Sequence, residues 1–342
     1  MYRIIIPLIV FLIIILSFSA SVLADEIADK FEKFIDVEKR MHWLAEHDKT
    51  DLAFEILHAV RDKFPDDEYQ ILDWLIYFNK VIRKHDECLN LWSEGHRKGY
   101  FFGIYPSDPQ YQVFYRNYRF INIAEKDAQL LEKALEKSKT IYEIRTPDNY
   151  SPEKTYPILF ALHGGWGTLW HSKKYWQSDK IFKEYIIVYM QSYVLYDYNS
   201  YGWDANDPRG RKYFQEIFED IKKEYSIDTT CVIVGGISAG GLMSFDISFN
   251  NILPVTGFIG LCSGIPENAD IKLVKSAKEH GLKAYLIAGE NDFLVHEQNK
   301  MEKLFIEADL PYQYHIIKDL VHEYPPDFSD WIDKALEFFQ MN

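Results

Sequence analysis

The sequence has 342 residues, of which 52 are Asp or Glu and 38 are Lys or Arg, so its formal net charge is −14. Nucleic acids and anionic membrane surfaces repel a protein of this charge, and the composition therefore speaks against either as a partner. The sequence has three cysteines, a small and odd number that does not suit a disulfide framework.

The first 24 residues have the pattern of a secretory signal peptide. Arg3 supplies one early positive charge, an apolar run extends from Ile4 to Leu16, and small residues precede a cleavage site after Ala24. An uncleaved membrane anchor is the alternative, but the apolar run is short for a membrane span. We therefore predict a secreted or periplasmic protein with no stable membrane insertion after cleavage.

Residues 25–138 are predicted to form a helical region. Apolar side chains recur at helical spacing, as in Ile56, Leu57 and Val60, and Pro65 ends that helix. Segments of similar sequence begin at residues 52 and 87, and this spacing resembles that of tetratricopeptide repeats, although the signature is incomplete. A charged helix at about 125–139 closes the region.

From residue 139 onward, short β-rich runs alternate with helical stretches. This alternation predicts a mostly parallel central sheet with helices on both faces, and ligands bind such sheets at the carboxyl ends of the strands. We therefore expect an α/β catalytic domain over residues 139–342. The predicted strands are Thr140–Arg145, Tyr156–Leu162, Tyr185–Met190, Cys231–Val234, Phe258–Cys262, Ala284–Ala288 and Gln313–Ile317.

A Gly-x-Ser-x-Gly motif lies within Val232–Gly241, between a β-branched run and an apolar helical pattern. This context is that of a nucleophile elbow, in which Ser238 lies on a strained turn with its hydroxyl exposed. The glycines lack the Cβ atoms that would collide with the strand or the helix. The helix that begins behind Ser238 directs backbone N–H groups at a developing oxyanion. Ser238 is therefore the predicted nucleophile.

Acyl transfer by a serine also needs a base and a carboxylate that orients the base. Asp292 lies in a turn after a buried-strand pattern and is the preferred carboxylate, with Glu290 as the alternative. His322 follows the last predicted strand and completes the chain order Ser, Asp, His. His315 lies inside that strand and is predicted to be structural.

A glycine-rich turn that begins at His163 ends an early strand and is predicted to supply an oxyanion donor. This donor is the N–H of Gly165 or of Trp166, and the second donor is the N–H of Ala239. His163 itself is assigned to loop geometry rather than to proton transfer. Glycines allow such backbone groups to approach a ligand closely.

The aromatic segment at 193–207 follows another predicted strand. We predict that Trp203 and Tyr201 in this segment line the substrate pocket. The alternative is that its aromatic side chains only pack a long loop.

Four stretches together resemble the α/β-hydrolase superfamily: Leu162–Gly165, Gly236–Gly241, Gly289–Asp292 and Val321–Pro325. Within it, the chain is similar to secreted esterases of the feruloyl esterase and poly(hydroxyalkanoate) depolymerase type, and to the carboxylesterase/dienelactone hydrolase group. The resemblance covers about residues 140–338 and implies an α/β-hydrolase fold. It also implies Ser238 as the nucleophile, His322 as the general base and Asp292 as the residue that orients it.

These features predict a secreted serine esterase that cleaves a small-molecule carboxylic ester through an acyl-enzyme. A serine peptidase of the prolyl-oligopeptidase type is one alternative, although that family usually carries a large β-propeller. A catalytically inert binding protein, which recruits a partner through its helical region, is the other. In an active enzyme the helical region could still bind a protein partner. No phosphate loop, nucleotide fingerprint or metal-ligand spacing occurs in the sequence, so no cofactor is predicted.

Overall fold

The computed structural model describes residues 23–341, so the predicted signal peptide lies outside the described residues except for its last two positions. The chain divides into two compact units between Lys133 and Ala134. The predicted boundary lies a few residues later, between 138 and 139. Within residues 23–341, every helix is too short or too polar to cross a membrane.

The first unit is helical, which confirms the prediction of an N-terminal helical region. Its apolar residues face inward at helical spacing, and Ile56, Leu57 and Val60 are fully buried. Pro65 begins a short 3₁₀ turn after the second helix, because proline removes a backbone donor. From residue 34 onward the helices are α1 (Phe34–Glu46), α2 (Thr50–Val60), α3 (Glu68–Val81), α4 (His85–Arg97) and α5 (Tyr118–Lys137), and α5 contains the division between the units.

The second unit contains seven strands that form one sheet and two that form a small hairpin. The sheet strands are β1 (Ile141–Arg145), β2 (Tyr156–Leu162), β3 (Ile186–Gln191), β6 (Ile227–Ile237), β7 (Gly257–Leu261), β8 (Lys283–Gly289) and β9 (Tyr312–Ile317). The hairpin strands are β4 (Val194–Leu195) and β5 (Tyr201–Gly202). The sheet order is β1-β3-β2-β6-β7-β8-β9. β1 is antiparallel to β3, and every other neighbouring pair in the sheet is parallel.

Helices cover both faces of this sheet, which confirms the predicted α/β architecture. Alternate residues of β2 point into different cores: Ile158 and Phe160 into one, Leu159 and Ala161 into the other. The helices are α6 (Leu169–Tyr175), α7 (Asp179–Glu184), α8 (Pro208–Glu224), α9 (Ala239–Phe249), α10 (Ile271–Glu279), α11 (Val295–Ala308) and α12 (Phe328–Gln340). Side chains of α8, α9, α10 and α11 fill the first core, and those of α7 and α12 fill the second.

All seven predicted sheet strands are present, with ends that differ by a few residues. One difference bears on the site: the predicted strand that ends at Cys262 stops at Leu261. Cys262 has a φ of 45°, and this left-handed backbone conformation cannot continue a strand. Because β6, β7 and β8 are parallel, the residues that follow them meet at one edge of the sheet.

Candidate active site

Ser238 lies on the turn between β6 and α9, at the carboxyl edge of the sheet. Its φ of 55° and ψ of −120° are strained for a residue with a side chain. Two glycines make this turn possible. A Cβ on Gly236 would lie 2.3 Å from the carbonyl carbon of Gly240, and one on Gly240 would lie 2.2 Å from the backbone oxygen of His163. Only glycine fits at either position, as the motif predicts.

Backbone hydrogen bonds fix the serine at the start of α9. The N–H of Ser238 donates to the Leu261 oxygen at 2.9 Å, and the N–H of Leu242 donates to the Ser238 oxygen at 2.9 Å. Ala239 is the first residue of α9, where backbone N–H groups have no intrahelical partner. Its N–H is therefore free in the helix to donate to an anion that forms beside Ser238.

A cavity of about 600 Å³ opens at this edge of the sheet. Ser238 and His322 both line it, and so do the three predicted oxyanion residues, Gly165, Trp166 and Ala239. A Cβ on Gly165 would lie 3.8 Å from the Ala239 Cβ, so the two predicted donor segments are adjacent. The other lining residues are Gly164, Gly167, His171, Tyr175, Tyr196, Ile237, Phe293, Glu323 and Tyr324.

Asp292 holds the imidazole of His322 from behind the cavity. Nδ1 of His322 lies 2.8 Å from Oδ1 of Asp292, and this oxygen also accepts the N–H of Leu294 at 2.9 Å. Because a carboxylate only accepts, Nδ1 carries the proton and Nε2 is left as an acceptor. Asp292 is 3% exposed, whereas the His322 side chain is 24% exposed and reaches the cavity. This is the arrangement of a general base with its orienting carboxylate.

The alternative carboxylate, Glu290, does not occupy that position. Its side chain is exposed, and Oε2 accepts the N–H of Asp319 at 3.1 Å. His315 lies within β9, as predicted, and its Nε2 is 3.1 Å from the Oε1 of Gln313. The geometry therefore favours Asp292 over Glu290.

His163 is a structural residue of the glycine-rich loop. Nδ1–H donates to the Gly164 oxygen at 2.6 Å, and Nε2 accepts the N–H of Ser192 at 3.2 Å. Burial lowers the pKa of His163 to about 4, so the ring is neutral near pH 7. Both nitrogens are occupied, which agrees with the assignment of His163 to loop geometry.

Trp203 and Tyr201, which were predicted to line the pocket, support this loop instead. Trp203 is 6% exposed, and its Nε1–H donates to the His163 oxygen at 2.9 Å. Tyr201 exchanges two backbone hydrogen bonds of 3.1 Å with Gly167. Neither residue lines the cavity around Ser238, and the aromatic segment contributes Tyr196 to it.

Several aromatic residues that line the cavity were not predicted from the sequence. The Phe293 ring centroid lies 4.3 Å from that of His322, and this side chain is 67% exposed. Tyr175 and Tyr324 stack in parallel with their centroids 4.0 Å apart. Phe293 directly follows Asp292, and Tyr324 lies two residues after His322, so proximity in sequence to the predicted catalytic residues was the available signal.

Cys262, Asp292 and His322 form the one close group of three potential metal ligands among residues 23–341. A metal ion would need a deprotonated thiol and a free imidazole nitrogen. Burial, followed by the nearby Asp292 side chain, raises the pKa of Cys262 to about 12, so the thiol keeps its proton, and the ring nitrogen of His322 that faces Asp292 is already hydrogen-bonded to it. These donors fit a hydrogen-bonded group better than a metal centre.

No family model matches the chain. An uncharacterised protein from Bacillus cereus ATCC 10987 is similar in structure, with a TM-score of 0.52 and 17% sequence identity, over 90% of this chain and 99% of that chain. A ferulic acid esterase has a TM-score of 0.47 and 19% identity, over 61% of this chain and 94% of that chain. At 17% identity, the likeness to the Bacillus cereus protein concerns the fold alone.

A curated relative is the bifunctional acetylxylan esterase/xylanase XynS20E of Neocallimastix patriciarum. It is 25% identical over 123 residues, which are 35% of this chain and 17% of that protein. The chain therefore matches only about a sixth of the relative's length.

Proposed function

We propose that this chain is a serine hydrolase that cleaves carboxylic esters of small molecules through an acyl-enzyme. Ser238 is the nucleophile, His322 the general base and Asp292 the residue that orients it. One observation carries the proposal: the buried carboxylate of Asp292 holds His322 on the wall of the cavity that Ser238 also lines.

In the proposed reaction, Oγ of Ser238 attacks the acyl carbon while Nε2 of His322 takes the hydroxyl proton. The N–H of Ala239 and that of Gly165 or Trp166 donate to the oxyanion of the tetrahedral intermediate. The alcohol leaves with the proton from His322, and an acyl-enzyme remains. A water molecule, deprotonated by His322, then attacks the acyl carbon and releases the acid and Ser238.

Three observations support ester hydrolysis over the alternatives. Ester hydrolysis is one of the two activities in the curated relative's name. The described part of the first unit is helical, whereas peptidases of the prolyl-oligopeptidase type usually carry a β-propeller. The strained backbone of Ser238 disfavours an inert binding protein, because such strain is typical of functional sites.

The proposal extends to location and organisation. Residues 1–24 act as a signal peptide, and the mature protein is secreted or periplasmic. Residues 25–138 form a helical region that could bind a protein partner, and residues 139–342 form the catalytic domain.

Matched ester and amide substrates test the reaction class. The purified mature protein is given p-nitrophenyl acetate and p-nitroacetanilide, which share an acyl group and differ in the bond that is cleaved. We expect turnover of the ester and little or none of the amide. Faster hydrolysis of the amide would favour the peptidase alternative, and no turnover of any short ester would contradict the proposal.

A further inference from the structure

A cavity of about 590 Å³ lies between α4 and α5 in the first unit, and it is called the α4–α5 cleft below. Residues of α5 that recur at intervals of three and four line one wall, so they share one face of this helix. The end of α4 forms the other wall. The lining residues that bear on its chemistry are His96 and Arg97 from α4, and Arg119, Asn122, Ile123 and Lys126 from α5.

The α4–α5 cleft is positively charged, although the chain as a whole has a formal net charge of −14. Arg97, Arg119 and Lys126 line it, and no Asp or Glu is among its lining residues. None of these three cations forms an ion pair with another residue in the range 23–341. The side chain of Arg119 donates instead to the neutral Oδ1 of Asn90 at 2.8 Å. Like charges that converge without a partner repel one another, and a bound anion would relieve that repulsion.

The acidic residues of the neighbouring sequence do not neutralise these cations. Glu94, one turn before Arg97, is paired with Arg61 and Lys98. No Asp or Glu lies three or four positions from Arg119 or Lys126, the spacings at which side chains of a helix meet. The positive charge of the cleft is therefore available to a ligand.

A buried hydrogen-bond network holds one side of the cleft in place. Asp127 is 1% exposed, and its two carboxylate oxygens accept the N–H groups of Phe102 at 2.8 Å and Ile104 at 2.9 Å. Nε2 of His96 lies 2.8 Å from Oδ1 of Asp127, and because a carboxylate only accepts, this nitrogen carries a proton. The network joins α4 to α5, so the cleft is organised before a ligand binds.

The other ring nitrogen of His96 is open to the cleft. The His96 side chain is 5% exposed and lines the cavity. No residue within 23–341 hydrogen-bonds to its Nδ1, yet this atom is not one of the fully buried polar atoms without a partner. It is therefore a polar position, on a fixed side chain, that a ligand can reach.

The size of the cleft and its donors define the class of ligand. Its volume falls in the range of sites for small organic molecules and exceeds what one inorganic ion fills. Arginine binds carboxylates and phosphates alike through two parallel N–H groups, and lysine adds a compact charge. Ile123 gives an apolar contact for a carbon skeleton, and Asn122 gives a neutral hydrogen-bonding group.

We propose that the α4–α5 cleft binds a small organic polyanion that carries at least two carboxylate or phosphate groups. Arg97, Arg119 and Lys126 neutralise its charges, while His96 and Asn122 hydrogen-bond to its polar atoms. All of these residues lie in the first unit, whereas Ser238, Asp292 and His322 lie in the second. The inference is therefore independent of the proposed ester hydrolysis, and it gives the helical region a binding function of its own.

Isothermal titration calorimetry of the purified mature protein tests the site. Citrate is the polycarboxylate probe, fructose 1,6-bisphosphate is the organic phosphate probe, and glucose is the uncharged control. Buffer, pH and ionic strength are the same for all three. We expect saturable binding of one or both anions, with one site per chain, and no binding of glucose. Binding of citrate alone would assign the site to carboxylates, and binding of the bisphosphate alone would assign it to phosphates.

The double variant Arg119→Gln/Lys126→Gln removes two of the three cations. We expect it to bind the anion roughly tenfold more weakly or worse, because hydrogen bonds to charged groups are strong. The matched control is Arg116→Gln/Lys133→Gln, which changes the net charge equally at exposed residues that do not line the cleft. This control should bind as tightly as the wild type. Circular dichroism checks folding, and if the double variant does not fold, Arg119→Gln and Lys126→Gln replace it singly.

Two results would overturn the inference. One is a folded wild type that binds neither anion with a Kd below about 10 mM. The other is an equal loss of affinity in the cleft variant and the control variant, because net charge alone would then attract the anion. Ester turnover enters neither result, so failure of the proposed function leaves this test intact.

Discussion

The indole Nε1–H of Trp203 donates a 2.9 Å hydrogen bond to the backbone oxygen of His163. A Cβ on Gly240 would lie 2.2 Å from that same oxygen. The His163 carbonyl is therefore the point at which the aromatic segment, the glycine-rich loop and the start of α9 meet. Since Gly165, Trp166 and Ala239 lie on these elements, we expect Trp203 to affect the proposed oxyanion site through the loop.

Trp203→Phe should lower kcat without changing substrate preference. The substitution keeps an aromatic ring but removes the donor to His163, a loss of about 1 kcal/mol that corresponds to roughly fivefold in rate. Initial rates on acetyl and bulky p-nitrophenyl esters, with Trp170→Phe as an exposed control, measure this effect. An increase in KM confined to bulky esters would instead support a place for Trp203 in the pocket wall.

Gly240→Ala should disrupt both stability and activity. The added Cβ cannot fit beside the His163 oxygen, so α9 or the glycine-rich loop must shift. We expect a loss of about 2 kcal/mol or more in the free energy of unfolding, within the usual range for overpacking. Gly264→Ala is the matched control, because its Cβ would meet only Leu242 at 3.6 Å. Equal stability of the two variants in chemical denaturation would show that the contact tolerates a methyl group.

Stability should fall as the pH decreases from about 6.5 toward 4, partly because of His163. Burial lowers the pKa of His163 from 6.5 to about 4 in the folded protein, so the unfolded chain binds a proton first as the pH falls. The contribution of neutral His163 to the free energy of unfolding is complete above pH 6.5. It amounts to about 3 kcal/mol and is lost as the pH falls from 6.5 to about 4.

Chemical denaturation of the wild type and His163→Gln between pH 7.5 and about 4 measures this contribution. Glutamine can donate to Gly164 and accept from Ser192, but it does not titrate. Burial also lowers the pKa of His171 and His315, so the difference between the two proteins isolates His163. Parallel curves for wild type and variant would contradict the assignment.

Asp292→Asn should lower kcat by about 10⁴, because an amide can stabilise the wrong tautomer of His322. Glu290→Gln should retain activity, since this exposed side chain is not the partner of His322. Steady-state kinetics on p-nitrophenyl acetate compare the two variants, and circular dichroism checks that both fold. A larger loss in Glu290→Gln than in Asp292→Asn would exchange the roles of the two carboxylates.

The sheet could be predicted from the sequence because its strands are buried on both faces. Runs such as Tyr156–Leu162 are apolar throughout, and the intervening helices set the parallel topology. The elbow could also be predicted, because Gly236 is required by a contact with Gly240 within the same short segment. The strand–turn–helix context of Ser238 thus specified a local geometry that the structure reproduces.

Side-chain environments were less predictable, because they depend on contacts between distant segments. Trp203 and Tyr196 lie in one aromatic segment, yet only Tyr196 reaches the cavity. The hydrogen bond from Trp203 to His163 spans 40 residues, and no local pattern encodes it. Cys262 was placed at the end of a strand because its neighbours are apolar, whereas its positive φ ends the strand at Leu261, although its N–H still pairs with the Ile287 oxygen.

The most direct test of the account is fluorophosphonate labelling of the purified mature protein beside Ser238→Ala, with turnover of short p-nitrophenyl esters measured on the same samples. Heat-denatured wild type controls for nonspecific labelling. The account predicts that the folded wild type is labelled and hydrolyses esters, and that a folded Ser238→Ala variant does neither. A folded wild type that resists the probe, or a Ser238→Ala variant that retains labelling and turnover, would contradict it.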